Sequence, residues 1–328
     1  MSRIIKLSSS IICSGNVVGV KEFSGPLGKY FDYHDKDDYF SAETFEMAES
    51  ELMRLAYNVT LKKGGFDSRD IGAIFAGDLQ NQCVGSSYGL LGCNIGYFGL
   101  YGACSTSCEG LMLASVFTTG KIYERCMAVT SSHNCAAERQ YRMPIEYGGQ
   151  RTPTSQWTVT GGAAFVVGGY DDGGVKITEG LPGVVIDKGI NDANNMGAAM
   201  APAAADTLIR YFSESGKSPS NFDMILTGDL GYEGSSILHE LMEVHGYDMR
   251  NHNDCGKLIY SKEEQDTHAG GSGCGCGASV LSAYILPKIE SGELSDILYI
   301  ATGAMMSPDS LKQGRSIPAI AHLLHLGG

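Results

Sequence analysis

No run of 18 or more apolar residues occurs in the 328-residue sequence, so no segment reads as a membrane-spanning helix. Basic residues are in the minority: 24 Lys and Arg face 37 Asp and Glu, for a net charge of −13 at pH 7. A nucleic-acid binder needs a basic footprint, and none is visible. The same charge opposes direct docking on anionic lipid. The opening MSRIIKLSSSIICSG has apolar residues but lacks the h-region of a signal peptide, so no secretory signal is expected. No Gly-Lys-Ser/Thr follows the Gly-rich turn at Gly270–Gly273, which excludes a Walker-type phosphate loop. The pairs Cys104/Cys108 and Cys274/Cys276 lack the spacing of a zinc site, and no metal or cofactor is expected. Low-complexity segments and long flexible linkers are also missing.

What is present is ordinary for a globular chain: 43% hydrophobic and 19% charged residues. Ten cysteines without a secretory signal suggest free thiols in a reducing compartment. The 44 glycines imply many tight turns or close backbone approaches.

The sequence repeats itself in outline. DIGAIFAGDL (70–79) and NFDMILTGDL (221–230) both read as a buried strand ending in Gly-Asp-Leu. Cys104–Thr130 can be laid on Cys276–Thr302 without a gap, keeping Cys104/Cys276, Ser107/Ser279, Gly120/Gly292 and Thr130/Thr302. The shared order is small-residue turn, cysteine, helix, glycine turn, apolar strand. Ser41 is expected to cap a helix carrying Phe45, Ala48, Leu52, Leu55, Ala56 and Val59 at three-to-four spacing. Strands are expected at Ile71–Ala76, Tyr97–Tyr101, Cys126–Thr130, Asp223–Leu226, Ile297–Ala301 and Ile317–Leu326, and helices at Ala203–Phe212, Ser235–His245 and Ser279–Ile289. Thr158–Val167 and Val175–Asp187 read as a hairpin. Alternating strands and helices predict largely parallel sheets covered by helices. The expected division is residues 1–187 and 188–328.

This duplicated α/β order, with a cysteine opening a helix midway through the first half, resembles the thiolase-like superfamily of thiolases and ketoacyl synthases. The resemblance implies a five-layer αβαβα fold of two pseudo-repeated halves and a homodimer. It places Cys104 at the nucleophile position, at a helix N-terminus. FAGDLQNQ (75–82), TSSHN (130–134), ERQYRMPIEYGGQ (138–150) and MGAAMAPAAADT (196–207) carry a closer likeness, to the stage V sporulation protein AD family. That family implies a protein of the developing spore, peripheral at the inner spore membrane. It works with other proteins of the same transport operon in moving dipicolinic acid, or its calcium salt, into and out of the spore. It also implies that dipicolinic acid occupies the pocket corresponding to a thiolase active site. The sequence departs from working condensing enzymes. These add His–His or His–Asn partners from the second half, whereas Leu226-Thr227-Gly228-Asp229 and Gly271-Ser272-Gly273-Cys274-Gly275 offer neither. Without those donors, the expectation is binding rather than catalysis. An active cysteine-dependent acyltransferase or ketoacyl synthase is the alternative.

The candidate ligand-binding residues are therefore Cys104, His133, Asp78, Asp229, Arg139, Arg142 and His322. Cys104 is the vestigial nucleophile position; the bland reading is a small residue in a tight turn. His133 follows a strand, where parallel sheets place ligand groups, or it is structural. Asp78 and Asp229 end equivalent strands and would suit a protonated pyridine nitrogen or a calcium ion, or would cap the next segment. Arg139 and Arg142 offer guanidinium groups that pair bidentately with carboxylates, or they pair internally with Glu138 or Glu146. His322 lies on the expected last strand. The Gly-rich turn before Cys276 either cradles an anion or packs backbone against backbone, and close packing is the favoured reading.

Overall fold

The computed structural model describes residues 3–142 and 151–328, so Glu146 lies outside the described residues. The main strands are β1 (Ile5–Val18), β2 (Ala73–Gly77), β3 (Gly96–Gly99), β4 (Cys126–Ser132), β5 (Gly161–Gly169), β6 (Val175–Leu181), β7 (Met224–Thr227), β8 (His252–Asp254), β9 (Asp296–Ala304) and β10 (Ala319–Gly327). Their order is β8-β7-β9-β10-β6-β1-β5-β4-β2-β3. Read outward from the centre, β1-β5-β4-β2-β3 is answered by β6-β10-β9-β7-β8, each strand by the one five later. DIGAIFAGDL supplies β2 and NFDMILTGDL supplies β7, which hold the same place in the two series. In this order β6, which begins at Val175, leads the second series.

Two expectations are corrected. β5 and β6 are not a hairpin, because β1 lies between them and pairs antiparallel with both. The sheet is also mixed rather than largely parallel. Among these main strands, parallel pairing is confined to β4-β2-β3 and β9-β7-β8, while β4 with β5 and β9 with β10 run antiparallel.

The main helices are α1 (Phe45–Gly64), α2 (Thr106–Thr119), α3 (Asn134–Tyr141), α4 (Met196–Ser215), α5 (Gly231–Val244) and α6 (Cys274–Val280), which runs on through a π-turn to Glu290. The cap of α1 is Thr44, whose side chain accepts from Met47 N–H; Ser41 sits three residues earlier in a left-handed conformation, φ +64°, and cannot cap it. Gly65, at φ +68°, ends that helix. Asn195 caps α4 in the same manner, through Ala198 N–H.

α1 packs on β1, β5 and β4, and α4 on β10, β9 and α5. α2 and α6 touch strands of both series, so they form the middle of five layers. A helix enclosed on all sides must satisfy its own polar groups. In α2, Ser115 and Thr118 bond to carbonyls one turn back, and Ser107 Oγ meets Tyr299 OH at 2.7 Å. α6 approaches the first series through the Gly-rich turn. A Cβ on Gly275 would lie 2.1 Å from the Gly161 carbonyl oxygen, so this turn packs backbone on backbone. Its N–H groups are occupied: Gly273 donates to Asp229 Oδ2 at 2.9 Å and Gly275 to Ser132 Oγ at 3.1 Å. That leaves no anion cradle there.

Candidate functional site

Cys104 lies in a tight turn, Ala103–Ser105, that opens α2. Ala103 has φ +49°, a conformation costly for a residue with a Cβ, and it delivers Cys104 into a cleft between the two series. The cleft is lined by Leu79, Tyr101, Tyr141, Arg142, Met196 and Met306, with Glu138, Thr158 and Ala304 beside them, and none of its lining residues is a histidine. About 370 Å³ of space lies between its atoms and at its mouth, but only about 30 Å³ is wide enough for the centre of a water molecule. The cleft is shut.

A helix N-terminus favours a thiolate, by about 0.3–1 kcal/mol at most surface sites and up to about 2 when partly buried. Against this stand burial and a carboxyl. Cys104 is buried beside the Asp229 carboxyl. Burial, then the Asp229 charge and the neighbouring Cys274, hold the thiol well above its ordinary range; only Gly273 N–H opposes them. Full burial shifts a group by up to about 3–5 pKa units, roughly 4–7 kcal/mol, so burial outweighs the helix dipole. The thiol stays protonated at neutral pH, the reverse of what a nucleophile needs.

Asp229 is itself buried, accepting from Thr302 Oγ1 at 2.7 Å and Gly273 N–H at 2.9 Å. Burial pushes it up to about 7 despite these bonds and the neighbouring Cys104 thiol. The loop that carries it is pinned by Asp254, which accepts from Leu230 N–H at 2.8 Å and Gly231 N–H at 2.9 Å. Asp229→Asn tests this electrostatic picture. Because the folded-state pKa is raised, the Asp229 contribution is fully present below about pH 4 and is lost as pH rises towards 7. The parent should therefore lose stability relative to the Asn variant across that window, read as the difference in urea midpoint at each pH. A pH-independent difference would show that Asp229 is not desolvated as described.

Arg142 is the second charged group at the cleft. Its side chain is 15% exposed, Nη1 donates to Glu138 Oε1 at 2.6 Å and Nη2 approaches Met196 Sδ at 3.8 Å. Its Nε is buried with no hydrogen-bond partner among the described residues. An unpaired donor on a buried guanidinium is costly unless something accepts from it.

The other candidates lie elsewhere. His133 is fully buried as the cap of α3. Its Nδ1 accepts from Ala136 N–H at 3.5 Å and its Nε2 bonds the Asp38 carbonyl at 2.7 Å. Burial lowers its pKa, so the ring is neutral with both nitrogens engaged. It is a structural residue rather than a ligand donor. His133→Ala should cost about 1 kcal/mol, the ordinary price of a lost cap, visible as a lower urea midpoint. An unchanged midpoint would contradict this assignment.

Asp78 accepts from Gln80 N–H at 2.9 Å and Ser86 N–H at 2.6 Å, fixing the turn that leads into the short helix Val84–Gly89. Arg139 points to the surface, paired with Glu46 at 3.2 Å and lying over Phe45. His322 Nδ1 accepts from Gly183 N–H at 3.1 Å, and burial lowers its pKa to about 4. The structure thus sets Cys104 and Arg142 in the cleft lining, with Asp229 buried beside Cys104 but outside that lining, and leaves Asp78, His133, Arg139 and His322 elsewhere. Sequence reasoning did not single out Tyr101 or Tyr141, and took Glu138 only as an internal partner for the arginines. For Glu138 and Tyr141, closeness to Arg142 in a helix-sized window was the available signal; Tyr101 had none.

All ten cysteines are free, and among the described residues no group of three or more His, Cys, Asp or Glu could hold a metal ion. No helix among them is long and apolar enough to cross a membrane.

Comparison with known proteins places this geometry. The model of the stage V sporulation protein AD family matches residues 2–327. The chain is 43% identical over 310 residues to stage V sporulation protein AD of Bacillus subtilis (strain 168), covering 94% of this chain and 91% of that protein. Similar solved structures share the fold at low identity. One is a variant of OleA from Xanthomonas campestris, with TM-score 0.62, 12% identity and 98% of each chain covered. Another is 3-oxoacyl-[acyl-carrier-protein] synthase III from Aquifex aeolicus VF5, with TM-score 0.58, 12% identity and 98% of this chain and 100% of that one covered. The two-series sheet around α2 and α6 is a thiolase-like fold, and the chain belongs to the stage V sporulation protein AD family.

Proposed function

We propose that the Cys104 cleft binds dipicolinic acid (pyridine-2,6-dicarboxylate), alone or as its calcium salt, and that the protein supports movement of that acid into or out of the spore without catalysing a reaction. The observation that carries the reading is the Cys104–Asp229 contact. A buried acid faces the thiol where a working enzyme needs a base or an oxyanion donor, so the cysteine is held as an inert wall of the cleft. Arg142 supplies a guanidinium at the same cleft for a carboxylate. The net charge of −13 repels a dianion at long range, so local donors must supply the affinity. In this reading the protein acts as a homodimer, peripheral at the inner spore membrane, with other proteins of the same operon as partners.

Calorimetric titration of the purified protein with dipicolinate, with and without calcium, tests the binding. Saturable heat at one ligand per chain is expected; no heat in either condition contradicts the proposal. The likeness to a 3-oxoacyl synthase keeps one rival in view, an acyl-transfer enzyme acting through Cys104. Mass spectrometry after incubation with acyl thioesters decides that point. The proposal predicts no acyl adduct on Cys104, and an adduct with turnover would establish the rival.

A further inference from the structure

We propose that Tyr141 is a latch, and that the cleft opens when the end of α3 swings away from the turn Leu79–Cys83. Tyr141 OH donates to the Leu79 carbonyl at 2.6 Å and, with its proton so committed, accepts from Tyr101 OH at 2.5 Å. Gln140 Nε2 donates to the same carbonyl at 3.0 Å, and its Oε1 accepts from Asn81 N–H at 2.9 Å. These bonds draw the last turn of α3 down on the Leu79 side of the cleft, and the Leu79, Tyr101 and Tyr141 side chains line the space they close.

The two ends of α3 are held differently. Its start is anchored by His133, and by Asn134, whose backbone N–H donates to Thr160 Oγ1 and whose side chain donates to the Thr158 carbonyl, each at 3.0 Å. Among the described residues, its end is held by the polar bonds above, by the Arg142 contacts with Glu138 and Met196, and by packing of the half-buried Tyr141 ring against Leu79, Cys104 and Ala137. Polar bonds at a cleft mouth can be exchanged for water, so this end opens more cheaply than the core. Across the contact, Gln82 and Cys83 both hold left-handed backbone, φ +57° and +56°. Two such residues in succession store strain that release of the turn would relieve. A planar ring bearing two carboxylates cannot enter a space with room for about 30 Å³ of water centres, so a moving part is required. Tyr141 spans the space, and its removal breaks two of the bonds.

The physiological meaning of the latch rests on the binding role proposed above, but its test needs no ligand. Iodoacetamide labelling at pH 9, mapped residue by residue by peptide mass spectrometry, reads access to Cys104. Cys108 and Cys276, buried along α2 and α6, are internal controls. Tyr141→Phe should speed labelling of Cys104 by roughly tenfold or more, from the loss of two hydrogen bonds, with the controls unchanged. Tyr101→Phe, which leaves the Tyr141–Leu79 bond, should give a smaller increase. Gln140→Ala, outside the cleft lining, should also increase it. An unchanged Cys104 rate in Tyr141→Phe overturns the latch, as does equal acceleration of all three cysteines, which would mean general loosening. Failure of the dipicolinate titration would leave the labelling result intact and would count against the binding role alone.

Discussion

Arg142→Gln should weaken dipicolinate binding by about a hundredfold or more. A hydrogen bond to a charged group is worth about 1.5–3 kcal/mol, and a guanidinium offers a carboxylate two of them. At about 1.4 kcal/mol per decade, losing both costs at least two decades. Glu138 already holds one side of this guanidinium, while Nε has no partner among the described residues and can turn to a ligand. The same competition gives the opposite sign for Glu138→Gln, which releases Arg142 and should tighten binding. Calorimetry on the two variants checks both signs. Equal affinity in the parent and Arg142→Gln would remove Arg142 from the site.

Gly275→Ala should destabilise the fold by about 3 kcal/mol or more, at the upper end of overpacking costs. The added methyl would sit 2.1 Å from the Gly161 carbonyl oxygen, which belongs to strand β5 and cannot rotate aside. Either α6 withdraws from the first series or β5 buckles. Both disturb Gly273 and hence Asp229, its hydrogen-bond partner. A urea midpoint near that of the parent would show that the central layer is looser than described.

The repeat was the most legible feature of the sequence. Gly-Asp-Leu closing two apolar strands, and a cysteine opening a helix in each half, correspond to β2 and β7 and to α2 and α6. Their signal is local, carried by strand-length apolar runs between glycines. Strand partners were not legible. β5 and β6 are joined by the short Asp171–Gly174 turn and look like a hairpin, yet β1, far away in the chain, takes the place between them. Only the pairing of distant segments decides that. Cys104 and Asp229 could be singled out in the sequence because each stands at the end of a recognisable element. Arg139 and Arg142 could not be separated from sequence. They lie three residues apart, but α3 ends between them; Arg139 stays on the outer face with Glu46 while Arg142 turns into the cleft. His133 was misread because its strand-end position suits a ligand group and a helix cap equally, and the Asp38 carbonyl that claims its second nitrogen is distant in sequence. The Tyr101–Tyr141 contact depends on the directions of two side chains, which residue spacing does not report.

The most direct test of the central claim, a shut and catalytically silent cleft that opens to take a small aromatic dicarboxylate, is a crystal structure of the protein saturated with dipicolinate. The account predicts the pyridine ring in the space beside Cys104, one carboxylate on the Arg142 guanidinium, no bond to the cysteine sulfur, and Tyr141 displaced from Leu79. Dipicolinate at a different place on the molecule, or a covalent adduct on Cys104, would contradict it.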